Sequence, residues 1–419
     1  MGEPVVQIHA KDGTPEFKRN FQVFRFMGGN LVSFFGDQIY LIALPLIVLA
    51  ITQSPLSMGI VAALERLPIL IQPLAGVLAD KFNRKSILMV CDAGRFIVIG
   101  ILGVLHLSGG LSIGAIYIGA LTVGIMTQIY NTSQFASIPQ LVLEKDLQLV
   151  NSINTGIFHT AVFVAPGVGG VLISLFNPGI GLILNSLSFA IGFLAVCSLN
   201  IHSDSATSNQ GPGILAEIKK GFVFVIREKP ILYTNLAMLF SVYGTTLFLT
   251  MMIVHLNSAA GLNSADIGYI LSIGGAAAIA GSLLTNILRQ RFSYRSILFT
   301  AGLLGGASII GFGLGESFFT LAVMNAAGTV AAAIMSTCIV TIRQVLTPGH
   351  LLGRVQATSR LMTWITMPVA ALSSGIIAET FGTGMAIVLG GVIATLASFF
   401  YLVPSLKSLG NERYETTNP

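Results

Sequence analysis

The sequence predicts an all-α integral membrane protein whose twelve transmembrane helices form two six-helix, pseudo-symmetric bundles. Three observations support this prediction. The chain of 419 residues is 53% hydrophobic and only 9% charged, whereas a soluble domain is about 25% charged. Apolar runs of about 20 residues, long enough to cross a hydrocarbon core as helices, recur from end to end. A short basic hairpin also occurs twice, once in each half of the chain.

Charged residues, Gly/Pro clusters and the lengths of the apolar runs divide the chain into spans. A series of this length is not a signal peptide, and the first span has no small-residue cleavage site, so we expect it to be retained. The predicted spans are 23–49, 57–79, 86–107, 113–138, 148–175, 179–200, 230–256, 264–288, 295–314, 317–342, 354–379 and 382–404.

Positive charge is confined to alternate connections between the spans. Of the 22 Lys and Arg residues, all except Arg66 lie in one set of connections or in the helix ends beside them, and the other set has none. Short loops rich in Lys and Arg stay on the cytoplasmic side, so both termini are predicted to be cytoplasmic. The net charge of +5 therefore indicates topology and contacts with lipid headgroups rather than nucleic-acid binding.

A polar segment separates the two halves. Residues 202–213, HSDSATSNQGPG, are typical of a linker. In 214–229 the apolar residues fall on one helical face, which predicts a helix along the cytoplasmic membrane surface, or else an extension of the next span. The predicted organisation is an N-terminal cytoplasmic segment (1–22), a first bundle (23–200), a cytoplasmic linker with the interfacial helix (201–229), a second bundle (230–404) and a cytoplasmic tail (405–419).

The two halves share sequence patterns. KFNRKSIL after the second span matches RFSYRSIL after the eighth, at an offset of 292 − 82 = 210 residues. FNPGIGLIL (176–184) matches FGTGMAIVL (381–389), and Pro166 in span five is matched by Pro368 in span eleven. Internal repeats of this kind are typical of secondary transporters, in which the substrate site lies between the repeats near the middle of the membrane.

The first basic hairpin resembles a family signature. GVLADKFNRKSIL, between spans two and three, is similar to the G-x-x-x-D-x-x-x-R-[RK] pattern of the major facilitator superfamily, with Gly76, Asp80, Arg84 and Lys85 at the matching positions. LERLPILIQPLAGVLAD, CDAGR and IPQLV resemble its bacterial branch of macrolide-efflux and enterobactin-exporter-like proteins. The resemblance covers essentially the whole chain. It implies the major facilitator fold in a bacterial cytoplasmic (inner) membrane, with Arg84 and Lys85 holding the loop inside.

The resemblance also implies a gate at the cytoplasmic side. In the gate that the resemblance implies, Asp80 docks at the N-terminus of span eleven, near Gly353 and Arg354. A helix N-terminus carries about half a positive charge and unpaired N–H groups, so a carboxylate there would hold the two halves together and favour the outward-open state. Asp92 and Arg95 share a helix face in span three and are predicted to extend this gate. The alternative is a topology signal with a local ion pair.

A second motif lies in span five. APGVGG resembles the Pro/Gly antiporter motif of exporters in the superfamily, with Pro166, Gly167, Gly169 and Gly170 as its kink residues. Proline removes a backbone hydrogen bond, and glycines let another helix approach closely. Ordinary tight packing is the alternative interpretation.

Four further ionisable residues stand out inside predicted spans: Asp37, Glu65, Arg66 and Arg360. Such a residue at the centre of a membrane helix costs about 2.5–3.5 kcal/mol on insertion scales, which makes these residues candidates for substrate or proton binding. We predict an ion pair between Asp37 and Arg66. Asp37 is the candidate for proton or cation coupling, or else belongs to a permanent structural pair. Arg360 is predicted to be a gate residue or to meet an anionic substrate.

The sequence shows no nucleotide-binding loop, no catalytic constellation and no metal-ligand spacing among its three cysteines. We therefore expect neither an enzyme nor a need for a cofactor. The expected protein is a monomeric secondary transporter that exports a small amphipathic molecule, a drug or a siderophore, by alternating access in exchange for protons. Its partners would be that molecule, protons and membrane lipids, with no nucleic acid. The alternatives are an importer or lipid flippase on the same fold, and a membrane receptor that binds without transport.

Overall fold

The computed structural model describes residues 17, 20–72, 82–199, 214–348 and 351–406, and all regular structure within them is helical. The helices are α1 (Phe21–Thr52), α2 (Pro55–Arg66), α3 (Arg84–Leu107), α4 (Ile113–Leu141), α5 (Glu144–Leu175), α6 (Pro178–Cys197), α7 (Ile214–Arg227), α8 (Lys229–Val254), α9 (Ser264–Arg291), α10 (Tyr294–Gly313), α11 (Phe318–Leu346), α12 (Leu352–Trp364), α13 (Met367–Phe381) and α14 (Thr383–Ala397). Shorter turns of helix follow α2, α8 and α14.

Ten helices in the described residues are long and apolar enough to cross a membrane, with α12 and α13 together making one of them. Two predicted spans are not among the ten. The second continues from α2 through a 3₁₀ turn, Leu67–Ile71, and then leaves the described residues after 72. The fifth lies in α5, of which Thr160–Leu175 is apolar but shorter than a full span.

Predicted span eleven is broken in the middle. Helix α12 ends at Trp364, and α13 begins at Met367 with Pro368 in its first turn. Proline has no N–H to donate to the preceding turn and its ring clashes with it, so the helix is interrupted directly before this residue. The corresponding proline in α5, Pro166, lies inside a continuous helix.

Polar caps fix where equivalent helices begin in the two halves. The side chain of Ser112 accepts the N–H of Ala115 at the start of α4, and Ser317 caps α11 in the same way. Asn83 caps α3 in the first basic hairpin, and Ser293 caps α10 in the second. Each cap satisfies N–H groups that a helix start leaves unpaired. The repeat in the sequence therefore extends to the starts of these helices.

The helices pack in two groups with the same pattern. In the first group the extensive contacts are α1 with α6, α3 with α6, α3 with α4, α1 with α5, and α2 with α4. In the second they are α9 with α11, α8 with α14, α10 with α14, α10 with α11, and α8 with α13. Each contact in the first group thus has its counterpart in the second. The two groups meet extensively where α2 packs on α13 and where α5 packs on α9.

Helix α7 forms where the sequence predicts a surface helix after the linker. It packs on α12, with Val225 fully buried beside Ile231 and Val355. A methyl group at Gly221 would meet the Thr358 hydroxyl, so α7 and α12 approach closely.

The helix ends form two faces, which we name by their charge. The basic face holds the connections at 82–83, 142–143, 292–293 and 347–348. The acidic face holds those at 53–54, 108–112, 176–177, 260–263, 314–317 and 382. Among the described residues, Asp266, Glu316 and Glu379 lie at or near the acidic face, and no lysine or arginine does.

Candidate functional site

A buried ion pair lies at the centre of the first helix group. Arg95 Nη2 donates to Asp92 Oδ1 at 2.6 Å, and the two side chains are 3% and 0% exposed. The guanidinium carbon lies 4.2 Å from the ring centroids of both Tyr130, on α4, and Phe189, on α6. A cation held over aromatic faces is stabilised by their negative quadrupole. Arg95 is therefore enclosed by a carboxylate and two rings from three different helices.

Several polar atoms around this pair have no hydrogen-bond partner. Tyr130 Oη donates to Asn30 Oδ1 at 3.2 Å, but Asn30 Nδ2, Asp92 Oδ2 and Arg95 Nε are buried and unpaired. A methyl group at Gly192 would lie 3.3 Å from Asp92 Oδ2, so this glycine leaves room for the carboxylate. Unpaired buried polar atoms cost stability and are therefore rare. Their concentration here marks the cluster as a functional candidate.

Asp37 lies on α1 within the electrostatic field of this cluster. The charged groups acting on it are Arg95, Asp92 and Glu65. The predicted ion pair between Asp37 and Arg66 is not formed among the described residues. Arg66 is in the last turn of α2, directly before the 3₁₀ turn, and its Nη1 donates to the carbonyl of Ala62 at 3.2 Å. The guanidinium thus bonds to a carbonyl one turn earlier in its own helix.

Glu65 has a partner that the sequence analysis missed. Tyr40 Oη donates to Glu65 Oε1 at 2.6 Å, which joins α1 to α2. The available signal was spacing, because Tyr40 follows Asp37 by three residues and such residues share a helix face. This face of α1 therefore brings Asp37 and the Tyr40–Glu65 pair to the same side of the first group.

The gate motif is described in part. Gly76 and Asp80 lie outside the described residues, and so does the predicted docking of Asp80. Lys85 Nζ donates to the carbonyls of Cys197 and Leu199, both at 2.7 Å. A cation is favourable at a helix C-terminus, where carbonyls are unpaired. Lys85 thus anchors the start of α3, which begins at Arg84, to the end of α6.

The kink motif lies where the two helix groups meet. The N–H of Gly167 donates to Ser272 Oγ on α9 at 2.9 Å. A methyl group at Gly170 would lie 2.9 Å from the Cα of Gly268, also on α9. At Gly169 it would lie 2.8 Å from the Ile39 side chain on α1. The glycines after Pro166 therefore let α5 approach one helix of each group.

The equivalent contact between α2 and α13 was not expected from the sequence. Glu379 Oε2 accepts the Ser54 hydroxyl at 2.9 Å and the N–H of Leu56 at 3.1 Å. A methyl group at Gly59 would lie 2.7 Å from the Cα of Gly375. Two features of the sequence could have indicated this contact. Ser54-Pro55 is a typical helix start, and Glu379 is a lone acid at the end of predicted span eleven. The contact of α2 with α13 and the contact of α5 with α9 both lie near the acidic face, so the two helix groups are joined there.

The second helix group has its own buried arginine, also missed from the sequence. Arg343 Nη2, on α11, donates to Asn235 Oδ1 at 2.6 Å, and Nη1 donates to Gln356 Oε1 at 3.2 Å. Asn235 Nδ2 in turn donates to Ser359 Oγ at 2.9 Å. These bonds connect α8, α11 and α12. The predicted candidate Arg360 is exposed, with its guanidinium 4.0 Å from the Trp364 ring centroid.

Three relatives resemble this chain over different lengths. An uncharacterized MFS-type transporter, YfiS, of Bacillus subtilis (strain 168) is 22% identical over 96% of this chain and 97% of its own. The multidrug efflux pump Tap of Mycolicibacterium fortuitum is 24% identical over 83% of this chain and 87% of its own. The staphyloferrin A transporter of Staphylococcus aureus (strain NCTC 8325 / PS 47) is 25% identical over 42% of this chain and 45% of its own.

A solved structure agrees with the fold. The nucleoside transporter NupG superposes with a TM-score of 0.72 over 91% of this chain and 98% of its own, at 13% identity.

The family model described as transmembrane secretion effector matches residues 18–418. The resemblance seen in the sequence is thus confirmed, as is the expectation that the protein is not an enzyme. The chain belongs to the transmembrane secretion effector family of the major facilitator superfamily (MFS), whose members are membrane transporters.

Proposed function

We propose that this protein is a secondary active transporter that exports a small amphipathic molecule by alternating access, with protons as the coupled ion. The observation that carries the proposal is the pair of equivalent contacts, α2 with α13 and α5 with α9, at which the two helix groups meet near the acidic face. Repeated helix groups that rock against each other are a common basis of secondary transport.

In the proposed topology the basic face is cytoplasmic and the acidic face is outside. The joined acidic face then corresponds to a closed outer gate, in an inward-facing state. Twelve spans result if the second span runs from α2 through 79 and the fifth is α5. Because glycines meet backbone to backbone at Gly59 and Gly170, the outer contacts can separate without pulling interlocked side chains apart. Docking of Asp80 at span eleven would then close the cytoplasmic side.

Coupling is proposed to use the carboxylates of the first helix group. Asp37 and Glu65 lie close enough for their charges to act on each other, and Arg95 acts on Asp37 as well. Ionisable residues inside a membrane protein are typical of proton relays and substrate sites. A proton and a cationic group of the substrate can compete for such a carboxylate, which would link the two fluxes.

The efflux pump Tap among the relatives supports export of a drug, and the staphyloferrin A transporter supports a siderophore. Flux in the opposite direction would make the protein an importer, and transfer of a lipid would make it a flippase. Saturable binding without any flux in liposomes would indicate a receptor.

The test compares small molecules inside and outside cells that lack the gene or carry it restored. We expect a compound to accumulate inside the deletion strain and to leave when the wild-type gene is restored. With Asp37→Asn, we expect export to lose its pH dependence while the protein reaches the membrane normally. Asp266→Asn, which removes a carboxylate from the acidic face, is the matched control.

Two results would contradict the proposal. A compound missing from the inside of the deletion strain would mean uptake. Export by Asp37→Asn with the wild-type pH dependence would remove Asp37 from the coupling mechanism.

A further inference from the structure

A cavity of about 340 Å³ lies inside the second helix group. It is a partly open cavity bounded by α8, α10, α11 and α14, and no ionisable side chain lines it. Several of its polar side chains are bonded to backbone carbonyls. Ser308 Oγ donates to Gly305 at 2.7 Å, and Asn325 Nδ2 donates to Ile270 at 2.9 Å. The cavity wall therefore presents mainly carbon.

The internal repeat identifies which part of the first group corresponds to this cavity. The aligned basic hairpins, capped by Asn83 and Ser293, fix the register of α3 against α10. The caps of α4 and α11 fix the register of those helices, and the FNPGIGLIL match fixes that of α6 against α14.

The register of α1 against α8 follows from an equivalent contact. Phe-Gly-Asp in α1 aligns with Tyr-Gly-Thr in α8. The glycine of the first, Gly36, packs against Asn185 on α6. The glycine of the second, Gly244, packs against Gly390 on α14, which is the counterpart of Asn185.

These registers place the cavity where the first group holds its buried ion pair. Six lining residues occupy the positions of the Asp92–Arg95 cluster and its neighbours. The corresponding pairs are Asn30 with Met238, Asp37 with Thr245, Asp92 with Gly302, Arg95 with Gly305, Tyr130 with Met335, and Phe189 with Ala394.

The cavity is therefore explained by the side chains that the second group lacks at these positions. In the first group the space is filled by a carboxylate, a guanidinium and two aromatic rings. In the second group a glycine occupies each of the two positions that correspond to the charged residues, and an alanine occupies the position that corresponds to one of the rings. An unfilled apolar cavity costs stability because its lining atoms lose packing contacts. A cavity of this size is expected to be retained where a ligand fills it.

We propose that this cavity is a binding site for an uncharged, apolar ring system. Its volume lies within the range of about 300–1,000 Å³ that is typical of small-molecule sites. Apolar cavities in proteins bind small neutral aromatic molecules such as benzene. A charged group would lose its hydration there without gaining a partner, since no ionisable side chain lines the cavity. Binding here does not depend on transport or on its direction.

The test is ligand-dependent thermal stability of the purified full-length protein in detergent. The probe is naphthalene, with naphthalene-1-sulfonate as its charged counterpart. A ligand that binds only the folded protein raises its melting temperature. We expect naphthalene to raise the melting temperature by several degrees, with saturation, and the sulfonate to have no effect.

Three variants locate the binding. Ala394→Phe restores the ring that corresponds to Phe189, and should abolish the naphthalene shift. Val392→Phe adds the same ring to an exposed position of the same helix, and should keep the shift. Gly305→Leu is a second cavity-filling variant, because a methyl group there meets its nearest neighbour at an ordinary 3.5 Å.

Either of two results would overturn the proposal. One is that naphthalene fails to stabilise the wild-type protein. The other is that it stabilises the Ala394→Phe and Gly305→Leu variants as much as the wild type, which would place binding elsewhere. Because the readout is binding alone, a failed transport assay would not produce either result.

Discussion

Removing the guanidinium of Arg95 is the sharpest test of the buried cluster. The variant Arg95→Met keeps an apolar chain of similar length but leaves Asp92, which is fully buried, without its cation. The second carboxylate oxygen of Asp92, Oδ2, already has no hydrogen-bond partner. Breaking one side of a buried ion pair costs about 3–5 kcal/mol, because the remaining charge is uncompensated. Loss of the guanidinium between two rings adds about 1–2 kcal/mol.

The double variant Asp92→Asn/Arg95→Met separates these contributions. With both charges gone, no uncompensated charge stays in the core, so the double variant should be more stable than Arg95→Met alone. We expect a coupling energy between the two sites of about 2–3 kcal/mol, at the upper end of values for residues in contact. The assay is reversible unfolding in mixed micelles, with helix content followed by circular dichroism.

The control is Arg291→Met, which removes an exposed arginine from the basic face. Surface changes of this kind usually stay within about 0.5 kcal/mol. The reasoning would be refuted if Arg95→Met cost no more than this control. It would also be refuted if the double variant lost the sum of the two single losses, since the pair would then contribute nothing as a pair.

Three further changes test the contacts between and within the helix groups. Glu379→Gln removes the charge that accepts two hydrogen bonds from the start of α2. Hydrogen bonds to charged groups contribute about 1.5–3 kcal/mol, and a loss of about 1.5 kcal/mol would move the closed–open equilibrium slightly more than tenfold toward an open acidic face. Spin labels at Ser108 and Leu314, one in each group, should then report a longer distance. Gly170→Leu should lengthen the same distance, because its side chain has no room against α9. Arg343→Met should cost about 1–3 kcal/mol of stability in the unfolding assay, since it leaves a buried asparagine oxygen unpaired.

Each of these has a result that contradicts it. Distances unchanged by Glu379→Gln, and equal to those of the control Glu316→Gln, would mean that the carboxylate does not hold the acidic face closed. A short distance in Gly170→Leu would show that α5 and α9 can pack without a glycine. An unchanged stability of Arg343→Met would mean that the bond to Asn235 is not needed.

The repeat gives the two helix groups the same packing and different interiors. In the first group the space between α1, α3, α4 and α6 holds a charged pair and aromatic rings, and in the second the equivalent space is a cavity. The two groups therefore present different chemistry, one ionic and one apolar. An amphipathic substrate would suit such an asymmetry.

Sequence patterns that act locally were sufficient for much of the fold. Long apolar runs predicted helices, charged residues and Gly/Pro clusters marked the limits of the spans, and the duplicated hairpin revealed the repeat. The spacing of Asp92 and Arg95 placed them on one face, and they form an ion pair. These features depend on residues within a few turns of each other, so the backbone geometry of a helix is enough to derive them.

Contacts between distant helices were decided by the tertiary structure. The expected pair of Asp37 with Arg66 is absent among the described residues, because Arg66 bonds to its own helix. Glu379 meets Ser54 although 325 residues separate them. The cavity depends on glycines whose effect is visible only when four helices surround them. A sequence determines which faces a helix has, but which neighbour each face meets depends on the packing of the whole chain.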